Sequence, residues 1–115
     1  MAADWQVFTE REGTTGYYDR ASVKKNKGTA RLWVMWDSSQ TRDAAGVLHM
    51  STRELLEVDC EQERFRYLAW MAYAGRAGGG ELLKTINLEP GEAPWNYIAP
   101  GTSGMSILGA ACGKK

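Results

Sequence analysis

The sequence predicts a mostly β domain of the α+β class. We expect a single antiparallel sheet, wound as a meander, with a short C-terminal helix tethered by a disulfide. Three observations predict this fold. Runs rich in aromatic and β-branched residues alternate with Gly, Asn and charged clusters. A stretch with helical character closes the chain. The two cysteines of the chain are placed so that a disulfide can join this stretch to a strand.

The composition is that of one soluble domain. The chain has 115 residues without an internal repeat or a linker, and we expect one domain, 1–115, with an ordered core of about 4–112. Fourteen basic and fourteen acidic residues give a formal net charge of zero. This balance argues against a nucleic-acid partner, because such proteins neutralise phosphates with a basic face. No apolar run is long enough for a transmembrane segment.

The first half of the chain predicts three strands. Trp5–Thr9 is a short first strand, and Thr15–Val23 is a second. Lys24–Gly28 has the residue types of a hairpin turn. Thr29–Asp37 is the strongest candidate, and its apolar residues alternate between two faces, with Leu32, Val34 and Trp36 on one and Trp33 and Met35 on the other. Because both faces are apolar, we expect a central strand covered on both sides.

The second half predicts further strands around a tight turn. Gly46–Cys60 contains one strand or a bent pair, and its end alternates between two faces: Leu56, Val58 and Cys60 against Leu55, Glu57 and Asp59. Arg64–Ala74 follows, and strict alternation predicts two faces: Phe65, Tyr67, Ala69, Met71 and Tyr73 against Arg64, Arg66, Leu68, Trp70 and Ala72. A helix over 52–74 is the alternative, since Glu, Leu, Arg and Ala favour helices. Gly75–Gly80 is predicted to be a flexible loop.

The last segment, Gly101–Cys112, predicts a short helix. Thr102 or Ser103 would be its N-cap, and Ile107, Leu108 and Ala111 would face inward. A helix this short is marginal in water by itself, so we expect it to need a tether.

The two cysteines, Cys60 and Cys112, fit no metal-binding spacing. A disulfide between them would tether the helix to a strand and is worth on the order of 4 kcal/mol as an upper figure. Two free buried thiols are the alternative. Disulfides persist in oxidising compartments, so we expect an extracytoplasmic protein and interpret Met1 as a start placed where a signal peptide has been removed. A cytoplasmic protein as written is the alternative.

No complete catalytic, cofactor or metal motif is present in the sequence. The glycines of Gly75–Gly80 lack the Lys and Ser/Thr of a phosphate loop, and Ser103 lacks the second glycine of a nucleophile elbow. The sequence therefore predicts no catalytic residue, no cofactor and no metal, and hence no enzyme. We expect a group of acids to form a solvated face and to pair with Arg64 and Arg66. These acids are Glu54, Glu57, Asp59, Glu61 and Glu63.

Five tryptophans and five tyrosines are many for this length. Trp33, Trp36 and Trp70 stand among apolar neighbours, and we expect them in the core. Five others are nearer to termini and loops, namely Trp5, Tyr17, Tyr18, Trp95 and Tyr97. Aromatic residues are enriched at protein interfaces, and a place in the core or at its rim is the alternative. The last four of these, with the one lysine cluster, form the candidate binding surface: Tyr17, Tyr18, Lys24, Lys25, Lys27, Trp95 and Tyr97.

An ordered set of short motifs runs from Trp5 to Cys112. The set comprises W-Q-V, Y-Y-D-R-A-S-V, R-L-W-V-M-W-D, S-x₇-D-C, F-R-Y-L, W-N-Y-I-A-P-G-T-S-G and a terminal Cys. The chain thereby resembles the surface-adhesin protein E family of secreted or lipid-anchored proteins of Gram-negative bacteria.

The resemblance implies an antiparallel sheet with a short C-terminal helix, joined cysteines, and export through a signal peptide. It also implies a protein partner, namely host extracellular-matrix or plasma proteins, together with possible homodimers. It supplies no catalytic residue. A structural or accessory protein of the cell envelope, with an unknown ligand, is the alternative function.

Overall fold

The computed structural model describes residues 2–42 and 48–113. Within these ranges there are eight strands and one α-helix: β1 (Trp5–Arg11), β2 (Thr14–Asp19), β3 (Lys24–Asn26), β4 (Thr29–Arg42), β5 (Leu48–Asp59), β6 (Arg64–Tyr73), β7 (Leu82–Asn87), β8 (Asn96–Tyr97) and α1 (Ser103–Cys112). Short 3₁₀ turns lie at Arg20–Ser22, Arg76–Gly78 and Pro90–Glu92. The predicted class, mostly β with one short C-terminal helix, is confirmed.

The strands form one antiparallel sheet in the order β1-β2-β4-β5-β6-β7. The short strand β3 continues the row of β2, because it pairs with residues 29–31 of β4 while β2 pairs with residues 34–38. In the same way β8 continues the row of β7 beside β6. The sheet is thus the predicted meander, and the helix considered over 52–74 is wrong, since that stretch is the β5–β6 hairpin.

The second strand ends earlier than predicted, at Asp19 instead of Val23. The carboxylate of Asp19 accepts a hydrogen bond from Ala21 N at 3.0 Å and starts a 3₁₀ turn. The chain becomes extended again at Lys24, so part of the predicted hairpin turn is strand β3. The turn itself is reduced to Lys27 and Gly28, with Lys27 at a φ of +49°.

A β-bulge in β6 reverses the predicted alternation of its side chains. Leu56 pairs with Tyr67 and Leu55 with Ala69, so that Leu68 is an extra residue. Residues that pair directly across two strands lie on the same face of the sheet. Ala69, Met71 and Tyr73 therefore lie on the face opposite to Tyr67, and the predicted common face is wrong beyond the bulge. A bulge of this kind leaves no clear signal in the sequence.

Helix α1 packs on one face of the sheet, over β4 and β5. Its inward residues are Ile107, Leu108 and Ala111, as predicted, and they contact the core residues Ala30, Leu32, Val34, Leu56, Val58 and Ile98. The Cys60–Cys112 disulfide joins the last residue of α1 to the end of β5, with 5.8 Å between the Cα atoms. Thr102 is the N-cap residue, but its hydroxyl donates to Ala99 O at 2.7 Å.

The other face of β4 is buried only in part. Met35 is 4% exposed there, whereas Trp33 is half-buried and lines a shallow cleft with Trp5 and Tyr73. Helix α1 lies on the opposite face. The burial of Met35 and Trp33 is therefore provided by the neighbouring strands and the N-terminal segment. β4 is therefore covered on both faces as expected, more completely on the face under α1 and only in part on the other.

The glycine-rich segment 75–80 is held in a defined turn, which differs from the flexible loop that we expected. Asp37 accepts hydrogen bonds from Ala77 N at 3.0 Å and from the Arg76 guanidinium. Ser51 donates its hydroxyl to Gly75 O at 2.6 Å and accepts from Gly78 N at 2.9 Å. Two buried polar side chains of β4 and β5 therefore fix the loop to the sheet.

Candidate functional site

The structure brings five of the seven predicted binding residues to one end of the sheet. The β3–β4 turn and the β5–β6 turn meet there, because Cys60 N donates to Gly28 O at 2.8 Å. The segment after β8 joins the same end, where Ile98 N donates to Glu63 O at 2.9 Å. The residues at this end are Lys24, Lys25, Lys27, Trp95 and Tyr97.

Tyr17 and Tyr18 lie apart from this end and point in opposite directions. They pair with Met35 and Val34, which lie in the middle of β4. Consecutive residues of a strand face opposite sides of the sheet, and Tyr18 packs against the core beneath α1. The two tyrosines thus form no continuous surface with the other five residues, and their role in binding stays a prediction.

The three lysines of the candidate surface are exposed. Lys25 lies beside the C-terminus of α1: its Nζ is 3.9 Å from the position that a Cβ on Gly113 would occupy. A cation at this position is favourable, because the C-terminal end of a helix carries a partial negative charge, and the last turn of α1 has no basic residue of its own. Lys25 therefore has a structural role, while Lys24 and Lys27 extend into solvent.

Trp95 lies against two arginines of β6. The Cζ atoms of Arg64 and Arg66 are 4.4 Å and 4.1 Å from the centroid of its ring, within the range of cation–π contacts. Arg66 also donates Nη1 to Pro90 O at 2.7 Å, which ties the segment before β8 to the sheet. The Trp95 ring is therefore half-buried and fixed in place.

Glu57 lies between Arg31 and Arg66 and pairs with both. Arg31 Nε is 3.0 Å from Oε2, and Arg66 donates from both Nε and Nη2 to Oε1. Burial by itself would raise the pKa of Glu57, but the hydrogen bonds from Arg66 and Arg31 outweigh it, and the pKa lies below its ordinary value. We call Arg31, Glu57, Arg64, Arg66 and Trp95 the arginine–tryptophan surface.

Asp59 completes the pairing of acids with arginines at the end of β5. Its Oδ2 is 3.0 Å from Arg64 Nε, and its Oδ1 accepts from Gln62 N at 3.1 Å in the β5–β6 turn. The predicted pairing with Arg64 and Arg66 is therefore present. The solvated face is wrong for Glu54 and Glu57, which are 8% and 7% exposed. Glu54 lies on the α1 face of the sheet, whereas Arg31 and Arg66 cover Glu57 on the opposite face.

A cavity of about 290 Å³ opens on the α1 side of the sheet, beneath the first turn of the helix. We call it the aromatic cavity. Five rings line it, those of Phe8, Trp36, Phe65, Tyr67 and Tyr97. Tyr97 is 71% exposed, so the cavity borders the end of the sheet that carries the candidate binding residues.

Glu54 is the acidic residue in the wall of the aromatic cavity. Trp36 Nε1 donates to its Oε1 at 3.2 Å, and the indole of Trp70 donates a second hydrogen bond. Burial raises the pKa of Glu54 to about 7, against these two hydrogen bonds, which lower it. Burial, together with the charge of Glu54, also raises the pKa of Tyr67 to about 12.

Glu54 is a residue of the candidate site that the sequence expectations placed on a solvated face. The signal of an inward position was present, because Glu54 precedes Leu56 and Val58 at a spacing of two and therefore shares their inward face. An acid at an inward position is unusual, since buried carboxylates are rare unless they are paired.

His49, the one histidine of the chain, and Ser103 are residue types that nucleophilic catalysis uses, and the structure places them in different elements. His49 is buried in β5, where its ring meets Trp70 edge-on at 6.0 Å, and Ser103 is the exposed first residue of α1. Residues 2–42 and 48–113 contain no cluster of three or more His, Cys, Asp or Glu suited to a metal ion. In the same ranges, no helix has the length and apolarity to cross a membrane.

The fold and the site define a small, disulfide-bridged β domain with a fixed arginine–tryptophan surface on one face of the sheet and an aromatic cavity on the other. The sequence model of the family described as Surface-adhesin protein E matches residues 5–113. The chain therefore belongs to the surface-adhesin protein E family, and the resemblance is confirmed. Membership implies a non-enzymatic role and suggests a surface or extracytoplasmic location.

Solved structures of similar fold agree with this assignment. Crystal form II of Haemophilus influenzae protein E is 12% identical with a TM-score of 0.64, over 98% of this chain and 94% of that chain. Another structure of Haemophilus influenzae protein E is 12% identical with a TM-score of 0.62, over 98% and 91%. At such identities the likeness shows the fold alone. No curated protein sequence matches the chain.

Proposed function

We propose that this chain is a non-enzymatic, extracytoplasmic binding domain that acts as a surface adhesin, with a protein of the host extracellular matrix or plasma as its ligand. Membership of the surface-adhesin protein E family is the observation that carries the proposal. The Cys60–Cys112 disulfide supports the location, because disulfides persist at the cell surface and in the periplasm.

The end of the sheet that carries Trp95 and Tyr97 is the binding surface that we propose. Trp, Tyr and Arg dominate the energetics of protein interfaces, and all three residue types meet here. The ion pairs of Glu57 and Asp59 fix the arginines before any ligand arrives, which reduces the entropy that binding would cost. Lys24 and Lys27 stand at the same end and favour a ligand with an acidic patch.

The test is a binding measurement on immobilised vitronectin, laminin and plasminogen, each examined separately. We expect saturable binding at micromolar or lower concentration to at least one of them. Tyr97→Ala should then raise the dissociation constant about 30-fold or more, the equivalent of roughly 2 kcal/mol at a hot spot. Leu82→Ala is the matched control, because Leu82 is 50% exposed on β7, outside this surface.

Two further outcomes are informative. A contribution from Lys24 and Lys27 would appear as binding that weakens with salt, because exposed charges are screened within about 8–10 Å at physiological ionic strength. A failure to bind all three proteins, together with a monomer at high concentration in the ultracentrifuge, would contradict the adhesin and favour the accessory envelope protein. Self-association that Tyr97→Ala abolishes would instead assign this surface to a homodimer.

A further inference from the structure

We propose that the aromatic cavity is a binding site for a small organic cation, an ammonium group on a short apolar body, with Glu54 as its counter-ion. The arginine–tryptophan surface lies on the other face of the sheet, and Tyr97 is the residue that the cavity shares with the proposed protein-binding end of the sheet. The cavity volume of about 290 Å³ suits a ligand of the size of one aromatic ring with a short substituent.

The walls of the cavity have the chemistry that an organic cation requires. The faces of aromatic rings carry a negative potential that attracts ammonium groups. The rings are also fixed by their mutual contacts: Phe8 meets Trp36 edge-on at 5.3 Å, and Phe65 meets Tyr67 edge-on at 5.3 Å. A cation with an apolar body can therefore enter a cavity that is already formed.

The carboxylate of Glu54 has no cationic partner among the described residues that line the cavity. Glu54 is 8% exposed and takes its hydrogen bonds from two neutral indoles. The described lining residues include no Arg, Lys or His. A buried carboxylate is costly to keep ionised unless a positive charge pairs with it, and an ammonium group in the cavity supplies that charge.

The surrounding elements place few other titratable groups near Glu54. β6 contributes the hydroxyl of Tyr67 and β8 that of Tyr97, whereas the lining residues from β1, β4 and α1 are uncharged. From β5, the ring of His49 meets Trp70 edge-on at 6.0 Å, and from β7, Lys84 Nζ stands 6.0 Å from the centroid of the Trp70 ring. The first turn of α1 borders the cavity and favours negative charge there, so an anionic ligand is the competing possibility.

Three ligands of similar shape separate the possibilities: benzylammonium, benzyl alcohol and benzoate. Each is titrated into the ¹⁵N-labelled protein at about pH 8, and the indole N–H resonances of Trp36 and Trp70 are followed. At this pH Glu54 is ionised. We expect benzylammonium to shift both resonances to saturation, with a dissociation constant at least about tenfold below that of benzyl alcohol. Benzoate should shift neither.

Two further measurements attribute the selectivity to Glu54. In Glu54→Gln, which keeps an oxygen for the indoles, the preference for benzylammonium over benzyl alcohol should disappear. Glu61→Gln removes the same charge from the exposed β5–β6 turn and should leave the preference unchanged. In the unmodified protein, the affinity for benzylammonium should fall roughly tenfold for each pH unit below about 7, while the affinity for benzyl alcohol stays constant.

Three results would overturn the proposal. Benzyl alcohol could bind as tightly as benzylammonium, which would make the cavity merely apolar. Benzoate could bind more tightly than either, which would assign the cavity to the helix terminus and an anion. The resonances of Trp36 and Trp70 could also remain unshifted by benzylammonium. The comparison of ligands uses the unmodified protein, so it decides the question even if Glu54→Gln fails to fold.

Discussion

The indole of Trp36 donates a hydrogen bond across the β4–β5 pair to the buried carboxylate of Glu54, with 3.2 Å between Nε1 and Oε1. This bond lowers the pKa of Glu54, but burial raises it by more, from 4.5 to about 7. In the folded protein the carboxyl group of Glu54 therefore keeps its proton up to a pH at which the same group in the unfolded chain has already lost it.

The first prediction concerns this proton. Between 4.5 and about 7 the folded state binds more protons at Glu54 than the unfolded state, so the free energy of unfolding falls as pH rises through this window. The loss is on the order of 3 kcal/mol and is complete above about pH 7. Glu54→Gln should remove it and be more stable than the unmodified protein at about pH 8.

Urea unfolding across this pH range measures the effect. The lowered pKa values of Glu57 and Asp59 act in the opposite direction and at lower pH. The difference between the two proteins isolates Glu54, because those groups are common to both. Parallel pH profiles would contradict the raised pKa.

The second prediction concerns Arg66, whose side chain is 17% exposed and pairs with Glu57. Arg66→Met should destabilise the protein by about 3 kcal/mol, because it leaves a buried carboxylate with a single partner. The pKa of Glu57 should rise, which carbon-detected NMR can follow. Arg20→Met, which removes an exposed pair with Asp4, is the control and should change the free energy of unfolding far less, because exposed ion pairs are screened by solvent. Equal effects of the two substitutions would refute the argument.

Periodicity predicted the meander and the inward residues of α1, because both depend on local spacing, and the number and positions of the cysteines predicted the bridge. Periodicity failed at Leu68, where an extra residue reverses the alternation of β6. The bulge depends on the pairing between β5 and β6, which one sequence does not display. At Glu54 the error came from residue type, because its charge suggested solvent although its position matched that of Leu56.

The cavity and the arginine–tryptophan surface were beyond prediction for the same reason. Trp95 and Arg66 are far apart in the sequence, and their contact follows from the pairing of β8 with β6. Tyr97 was selected as an exposed aromatic, and it is exposed, but its neighbours were not foreseen.

The third prediction concerns the loop 75–80, which Asp37 fixes to β4. Asp37→Ala removes the charged acceptor of Ala77 N and should cost about 1.5–3 kcal/mol, since a hydrogen bond to a charged group is lost. Hydrogen exchange at Ala77 and Gly78 should accelerate more than exchange in the centre of β5. Glu81→Ala alters an exposed acid that follows the same loop and should change neither quantity. Unchanged exchange in Asp37→Ala would show that the loop is held without this residue.

The last prediction concerns the Cys60–Cys112 disulfide, which closes a loop with a sequence separation of 52. Reduction should lower the free energy of unfolding by up to about 4 kcal/mol, because the bridge restricts the unfolded chain. The amides of α1 should then exchange before those of β4, since a helix of ten residues is marginal without its tether.

Mass spectrometry of the oxidised protein should show two protons fewer than the reduced form. The double variant Cys60→Ser/Cys112→Ser is the control, because a reductant should leave its stability and its exchange unchanged. Two thiols that alkylate freely in the native, oxidised protein would refute the bridge. Exchange of α1 that stays as slow as that of β4 after reduction would show that the contacts of Ile107 and Leu108 hold the helix unaided.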